Sequence, residues 1–250
     1  MHHNLPIRGK DETLDTFYHG RVLVLQKKNG YRFSVDAPLL ADFIQTKRGD
    51  NLLEVGTGSG VISLLLSIKP YDHVTALEIQ DSLVDLARRN VRLNNLSQRI
   101  RVVQGDLRDF ATQEKFDVIF SNPPYIKQMS GHLSSSDEKS VAKHELKINI
   151  FDIMQKMTEL LKVEGKAYFI FPAKRKDDLR RATEEYGMRI HSLRLVYPHQ
   201  NSEPNFVLVS CDFKTEKEIC HLPLVLFDRE GQYSEEAKAI FSGRIHAETS

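Results

Sequence analysis

A doubly wound α/β domain with a mostly parallel sheet is the fold expected of this chain, on three grounds. From residue 51 onward, short apolar strands alternate regularly with helix-length segments. The first of these strands runs into a glycine-rich turn and then a helix. The strands are separated by helices rather than tight turns, so neighbours must pair in parallel with helices covering both faces of the sheet.

The elements follow in order. Val22 to Ser34 reads as a hairpin, in which an alternating run reaches Asn29-Gly30 and Tyr31-Arg32-Phe33 returns. Asn-Gly accepts positive φ at both turn positions, the strongest short-range hairpin signal. Asp36 then fits an N-cap and Pro38 the first helical turn, with Leu39, Leu40, Phe43 and Ile44 on one apolar face. Asn51–Val55 is a strand, Val61–Ile68 a helix and His73–Glu78 the second strand. Asp81–Leu93 is a helix whose buried face carries Leu83, Leu86, Ala87, Asn90 and Leu93 at helical spacing. Strands at Ile100–Gln104 and Phe116–Phe120 precede a loop rich in Ser and Lys. Helix Ile148–Leu161, strand Ala167–Phe171, helix Asp177–Tyr186 and strands near 189–196 and 206–212 complete the series, with an antiparallel strand near the C-terminal end. Residues 1–46 are expected to form a hairpin-and-helix extension, and 47–250 the α/β domain.

Composition narrows the function. A chain of 250 residues, 40% hydrophobic and 28% charged, is ordinary for a globular protein with a sizeable core. The apolar run Val61–Ile68 falls far short of the ~18 residues a spanning helix needs, and the N-terminus has no apolar signal region. A cytoplasmic protein with no membrane partner is therefore expected. Cys211 and Cys220 form no Cys-x-x-Cys pair, and Cys211 sits in an apolar run where a buried hydrophobe is expected. The ten histidines lack ligand spacing, so no metal is expected. A net charge of +1 does not by itself point to nucleic acid, and any such role must come from local clusters.

The chemistry starts at Glu54-Val-Gly56-Thr57-Gly58-Ser-Gly60, between a strand and a helix, where open α/β sheets bind ligands. Its spacing is neither the dinucleotide fingerprint nor a nucleotide triphosphate loop. A ligand with a ribose but no pyrophosphate suits it better, and S-adenosylmethionine is such a ligand. A tight turn with no ligand is the plainer alternative. Glu78 closes the second strand, where a carboxylate can accept hydrogen bonds from both ribose hydroxyls. Asp106 ends the third and can accept from an adenine amine, or else cap the helical turn that follows. Ile79 and Leu107, which follow these acids, complete the candidate cofactor set with Glu54, Thr57, the glycines and Asn122.

Ser121-Asn122-Pro123-Pro124-Tyr125 follows the fourth strand directly. Two prolines end the strand and restrict Asn122 to an extended conformation. Asn122 Oδ1 and the Pro123 carbonyl can each accept one N–H of a conjugated amine. Both bonds strengthen as that nitrogen becomes cationic, so they favour the transition state. Tyr125 can stack on a flat base. A rigid proline turn without chemistry is the alternative for this segment taken alone.

With these residues in place the chain resembles the class I N6-adenine methyltransferases carrying Asn-Pro-Pro-Tyr. More narrowly it resembles the bacterial family that methylates N6 of the adenine 3′ of the anticodon in a valine tRNA. The resemblance covers most of the chain: Gly30–Ala41, Glu54–Gly60, Asn122–Tyr125, Ala142-Lys143-His144-Glu145 and Pro223–Tyr233. It departs at Pro204-Asn-Phe-Val-Leu-Val-Ser210, where an Arg- or Lys-containing final strand would be expected. The resemblance implies S-adenosylmethionine as cofactor, tRNA or another structured RNA as partner, and Asn122, Pro123 and Tyr125 as the catalytic set. Other acceptors for the same chemistry are a release-factor glutamine, guanine N2 and DNA adenine. A non-catalytic RNA chaperone that binds the cofactor is a reading of another class.

Basic residues cluster at Lys27-Lys28, Lys47-Arg48, Arg88-Arg89 with Arg92, Lys174-Arg175-Lys176 and Arg180-Arg181. Lys127, Lys139, Lys143 and His144 are the better substrate-contact candidates, because their loop begins at the Asn-Pro-Pro-Tyr turn, whereas the Arg88 and Arg180 groups suit solvated helix faces.

Overall fold

The computed structural model describes residues 8–28, 35–123 and 149–243. The elements are β1 (Glu12–Phe17), β2 (Val22–Lys27), α1 (Asp36–Phe43), β3 (Asn51–Val55), α2 (Val61–Leu65), β4 (His73–Glu78), α3 (Asp81–Leu93), β5 (Ile100–Gln104) and β6 (Phe116–Ser121). They continue as α4 (Ile150–Leu160), β7 (Leu161–Pro172), α5 (Lys176–Glu185), β8 (Arg189–Tyr197), β9 (Phe206–Asp212), β10 (Ile219–Cys220), β11 (Leu224–Val225) and α6 (Glu235–Phe241).

The main sheet runs β10-β8-β9-β7-β6-β3-β4-β5, with β11 also paired to β8. Every pairing is parallel except those of β9, which lies antiparallel to both β7 and β8. The chain reverses direction of growth at β3, which has β4 on one side and β6 on the other. This is the switch point at which such sheets leave a crevice at their carboxyl ends.

Period-two alternation distributes the apolar strand residues to two cores. Leu52 faces the helices α1 and α2 together with Val74, Phe120 and Ile170. Its neighbour Leu53 faces α4 and α5 together with Leu77, Ile119 and Phe169. Burial on both faces explains why these strands read as unbroken apolar runs. Cys211 is fully buried in the second core, as a small hydrophobe would be.

β1 and β2 form a separate two-stranded ribbon, with Glu12 opposite Lys27 and Phe17 opposite Val22. The strand at 22–27 also pairs with the segment before it, a partner the sequence did not signal. The turn between them uses Tyr18, His19 and Gly20, all at positive φ. Asn29-Gly30 and its expected return lie outside the described residues.

The other edge of β2 is satisfied by a helix. Leu23 N–H donates to Asn94 Oδ1 at 2.8 Å, and Asn94 Nδ2 donates to the Leu23 carbonyl at 2.7 Å. One turn earlier on α3, Leu25 N–H donates to Asn90 Oδ1 at 2.7 Å and Asn90 Nδ2 donates back to the Leu25 carbonyl at 3.0 Å. Two carboxamides at i and i+4 thus stand in for a neighbouring strand and close an edge that would otherwise invite pairing. Asn90 belongs on the apolar helix face for this reason, fully buried with its polar atoms paired.

Asp36 also differs from expectation. It is the first residue of α1 rather than its cap, which falls to Val35 without a side-chain bond. Its carboxylate is turned inward and is only 7% exposed. Among the described residues no helix is long and apolar enough to cross a membrane.

Candidate functional site

The carboxyl ends of β5, β4, β3 and β6 lie side by side, and they bring Asp106, Glu78, the glycine loop and Asn122 into one crest. Register fixes the alignment, since Val55 is opposite both Leu77 and Ser121, and Glu78 is opposite Gln104.

The loop after β3 turns back at once. Gly56 N–H and Thr57 N–H both donate to the Leu77 carbonyl at 2.9 Å, and Gly60 N–H donates to the Thr57 carbonyl at 2.9 Å. Gly56, Gly58 and Gly60 have φ of 72°, 59° and 85°, a region that costs other L-residues about 1 kcal/mol or more. A Cβ built on Gly56 would meet nothing within 4 Å, so at Gly56 the loop presents bare backbone to open space, while residues 57–60 are buried behind it. That is the surface a ligand can approach closely.

Glu78 holds this loop in place. One carboxylate oxygen accepts from Gly58 N–H at 2.8 Å, and the other accepts from Ile79 N–H at 3.0 Å and Gln80 N–H at 2.9 Å. Beside it Ile79 is 36% exposed, an apolar side chain left on the rim of the crest. Leu107 is buried. Asp106 takes the capping role that was its alternative: it accepts from Arg108 N–H at 2.9 Å at the start of the turn Leu107–Asp109. It is also paired with the Arg108 guanidinium, which holds its carboxyl below the ordinary range.

Glu54 braces the loop from beneath. It is 1% exposed, and its Oε2 accepts from the Thr57 hydroxyl at 2.6 Å and from the Ser63 hydroxyl. Thr57 is likewise buried, with its hydroxyl committed to Glu54. Burial pushes the Glu54 carboxyl up to about 7, against the opposing effect of the two hydroxyl donors. The folded protein therefore holds a proton that the unfolded chain releases near 4.5. This contribution to stability is full below about pH 4.5, falls as pH rises towards about 7, and is flat above that. Glu54→Gln keeps an oxygen acceptor for both hydroxyls but removes the titration. Its melting temperature should vary less between pH 5 and pH 8 than the wild type's, by up to about 3 kcal/mol of stability. Parallel pH profiles for the two proteins would contradict this.

Asn122 stands at the end of β6, beside β3, and Pro123 after it is buried. Ser121, just before it, donates its hydroxyl to the Val55 carbonyl at 2.9 Å and ties the two strand ends together. Asn122 Nδ2 donates to Asp36 Oδ2 at 2.8 Å. This contact joins residues 86 positions apart, and no sequence spacing signals it. Tyr125, Lys127, Lys139, Lys143 and His144 lie outside the described residues. Of the basic clusters, Arg89 is paired with Glu12 and Asp85, Arg180 with Glu218, and Arg175 and Arg181 with Asp178. Arg88 and Arg92 are exposed on α3.

Comparison with known proteins agrees with the geometry. Residues 32–149 match the family model of the methyltransferase small domain. A protein of Bacteroides thetaiotaomicron, named tRNA1(Val) (adenine(37)-N6)-methyltransferase, is 29% identical over 227 residues, covering 90% of this chain and 94% of that protein. A protein of the same name from a Flavobacteriaceae bacterium is 28% identical over 204 residues, covering 81% of this chain and 85% of that one. Among solved structures, one described as a predicted O-methyltransferase from Agrobacterium tumefaciens superposes with a TM-score of 0.66 at 18% identity. It covers 84% of this chain and 96% of that one, and it shares the fold.

Proposed function

We propose, from the match of residues 32–149 to the methyltransferase small domain, that the protein transfers a methyl group from S-adenosylmethionine to N6 of an adenine in tRNA. The observation that carries the reading is the adjacency of Asn122 and the glycine loop on neighbouring parallel strands. An acceptor for a substrate amine and a bare-backbone cradle for a cofactor thus share one crest. The tRNA specificity is supported by the names of the relatives that match most of the chain.

The residues fit the cofactor. Gly56 exposes backbone, the left-handed Gly58 and Gly60 shape the turn behind it, Glu78 offers carboxylate oxygens at the end of β4, and the rim residue Ile79 supplies an apolar face beside it. Asp106 and Leu107 flank the far side of the crest. When bound, S-adenosylmethionine supplies a methyl group carried on a sulfonium and so activated for transfer. Glu54 and Thr57 act one layer down, fixing the loop rather than touching the ligand.

On the substrate side, Asn122 Oδ1 and the Pro123 carbonyl accept the two N–H groups of the adenine amine. Accepting both draws the nitrogen's lone pair out of conjugation with the ring. The same two oxygens stabilise the positive charge that grows on nitrogen during transfer. The charged nitrogen then loses its proton readily, so no strong general base is required. Tyr125 stacks against the base once it is displaced from its neighbours.

The test is incubation with tritiated S-adenosylmethionine and tRNA from a strain lacking the gene, followed by nucleoside chromatography. Labelled N6-methyladenosine is the expected product. Label in a release factor and none in RNA would assign the same site to a glutamine amide instead. No label in either would leave a non-catalytic cofactor-binding protein.

A further inference from the structure

We infer that Asp36 is a positioning residue for Asn122: its carboxylate decides which end of the Asn122 amide meets the reacting amine, and makes that end a stronger acceptor. The inference rests on the methyl-transfer reading above and adds to it a residue from α1.

Asp36 opens α1 and is 7% exposed. Its Oδ1 accepts from Ala37 N–H at 3.0 Å and its Oδ2 accepts from Asn122 Nδ2 at 2.8 Å. A carboxylate has no proton to give, so the amide must present its NH₂ to it. The chemistry of the pair therefore settles the orientation that an isolated asparagine leaves open by a half-turn about its last torsion. With Nδ2 committed to Asp36, Oδ1 points to the opposite side of the planar amide. That is the atom required to accept from the substrate amine. In the reversed orientation an NH₂ group would face another NH₂ group, and the transition-state bond would be lost.

Two further effects act in the same direction. Donation to an anion polarises an amide and increases the negative charge on its oxygen. Oδ1 thereby becomes a better partner for a nitrogen that is turning cationic. The carboxylate is itself nearly buried, so little water screens its charge from Asn122. The mount is rigid, because Leu39 and Leu40 of the same short helix are fully buried in the first core. A site held on a packed helix keeps its geometry better than one held on a loop.

The test compares wild type, Asp36→Asn, Asn122→Asp and the double variant Asp36→Asn/Asn122→Asp. Melting temperature and cofactor affinity are measured for each, with kcat and KM determined separately on tRNA. Asp36→Asn keeps an acceptor but loses the charge, and should lower kcat by about tenfold with KM changed by less than about threefold. Asn122→Asp sets two carboxylates against each other and should lose more. The double variant restores a donor facing a carboxylate and leaves an anionic oxygen towards the substrate. It should exceed Asn122→Asp in kcat by at least about tenfold. A residue that only supports the fold gives no such rescue. A double variant no better than Asn122→Asp, in an active wild type, would overturn the positioning role alone. The Asn122 side-chain amide signal in the nitrogen–proton spectrum, assigned by its loss in Asn122→Asp, should shift in Asp36→Asn. If it shifts while the wild type methylates no RNA, the methyl-transfer reading fails and the positioning role fails with it.

Discussion

Replacing Asn122 with alanine is expected to lower kcat for tRNA methylation by about 10²–10³-fold, the usual loss for a group whose hydrogen bond strengthens in the transition state. Cofactor affinity should change by less than about threefold, because the glycine loop and Glu78 are anchored independently of Asn122. The variant also deprives Asp36 of a partner in a nearly buried position. About 1–3 kcal/mol of stability should therefore be lost with the activity. Single-turnover kinetics with saturating cofactor would separate these effects. A variant that keeps wild-type turnover removes Asn122 from the chemistry, whatever its melting temperature.

The second large effect is expected at Glu78. Alanine there removes the acceptor for three backbone N–H groups, those of Gly58, Ile79 and Gln80. It removes the candidate ribose partner as well. Two charge-assisted hydrogen bonds to a ligand contribute about 3 kcal/mol together, so affinity for S-adenosylmethionine should fall on the order of 100-fold. The loop loses its tether at the same time, and the protein should melt earlier. Titration calorimetry decides the matter. An unchanged dissociation constant would mean that Glu78 serves the fold and not the ligand. The contrast with Asn122 is diagnostic, because one substitution acts on turnover and the other on cofactor binding.

Much of this was legible in the chain, for a physical reason. Strands covered on both faces are largely apolar, so β3 and β4 match the sequence reading residue for residue; the edge strand β5, with Arg101 and Gln104 exposed, and the helix α3 match it too. Strand ends in turn locate the crest, because a parallel sheet collects its ligands at the carboxyl ends. Glu78, Asn122 and the glycine loop followed from that alone. The ribbon at the N-terminus was less legible. β1 reads Glu-Thr-Leu-Asp-Thr-Phe, with little apolar signal, and its turn places Tyr18 and His19 at positive φ where no glycine marks the first bend. The small strands β10 and β11 were also unmarked, since two-residue pairings have no periodicity to read, and α6 is under two full turns long.

At the site itself, the sequence located the residues but not the direction of their side chains. Glu54 points under the loop towards Ser63, and Asp36 points to Asn122 instead of capping its helix. Both contacts depend on how distant segments pack together. A capping aspartate and an inward-facing one look the same in a single sequence.

The carboxamide of Asn90 donates to two carbonyls, that of Leu25 at 3.0 Å in the outer ribbon and that of Ser59 at 2.9 Å in the glycine loop. One fully buried group is therefore shared by the outer ribbon and the loop proposed to hold the cofactor. Whatever steadies the Ser59 carbonyl also steadies the amide that holds Leu25. The ribbon thus becomes an outside gauge of whether the crevice is filled. Exchange of the Leu25 amide proton with deuterium should slow when S-adenosylmethionine saturates the protein, as local openings become coupled to ligand release. Equal rates with and without the cofactor would mean that the two segments breathe separately.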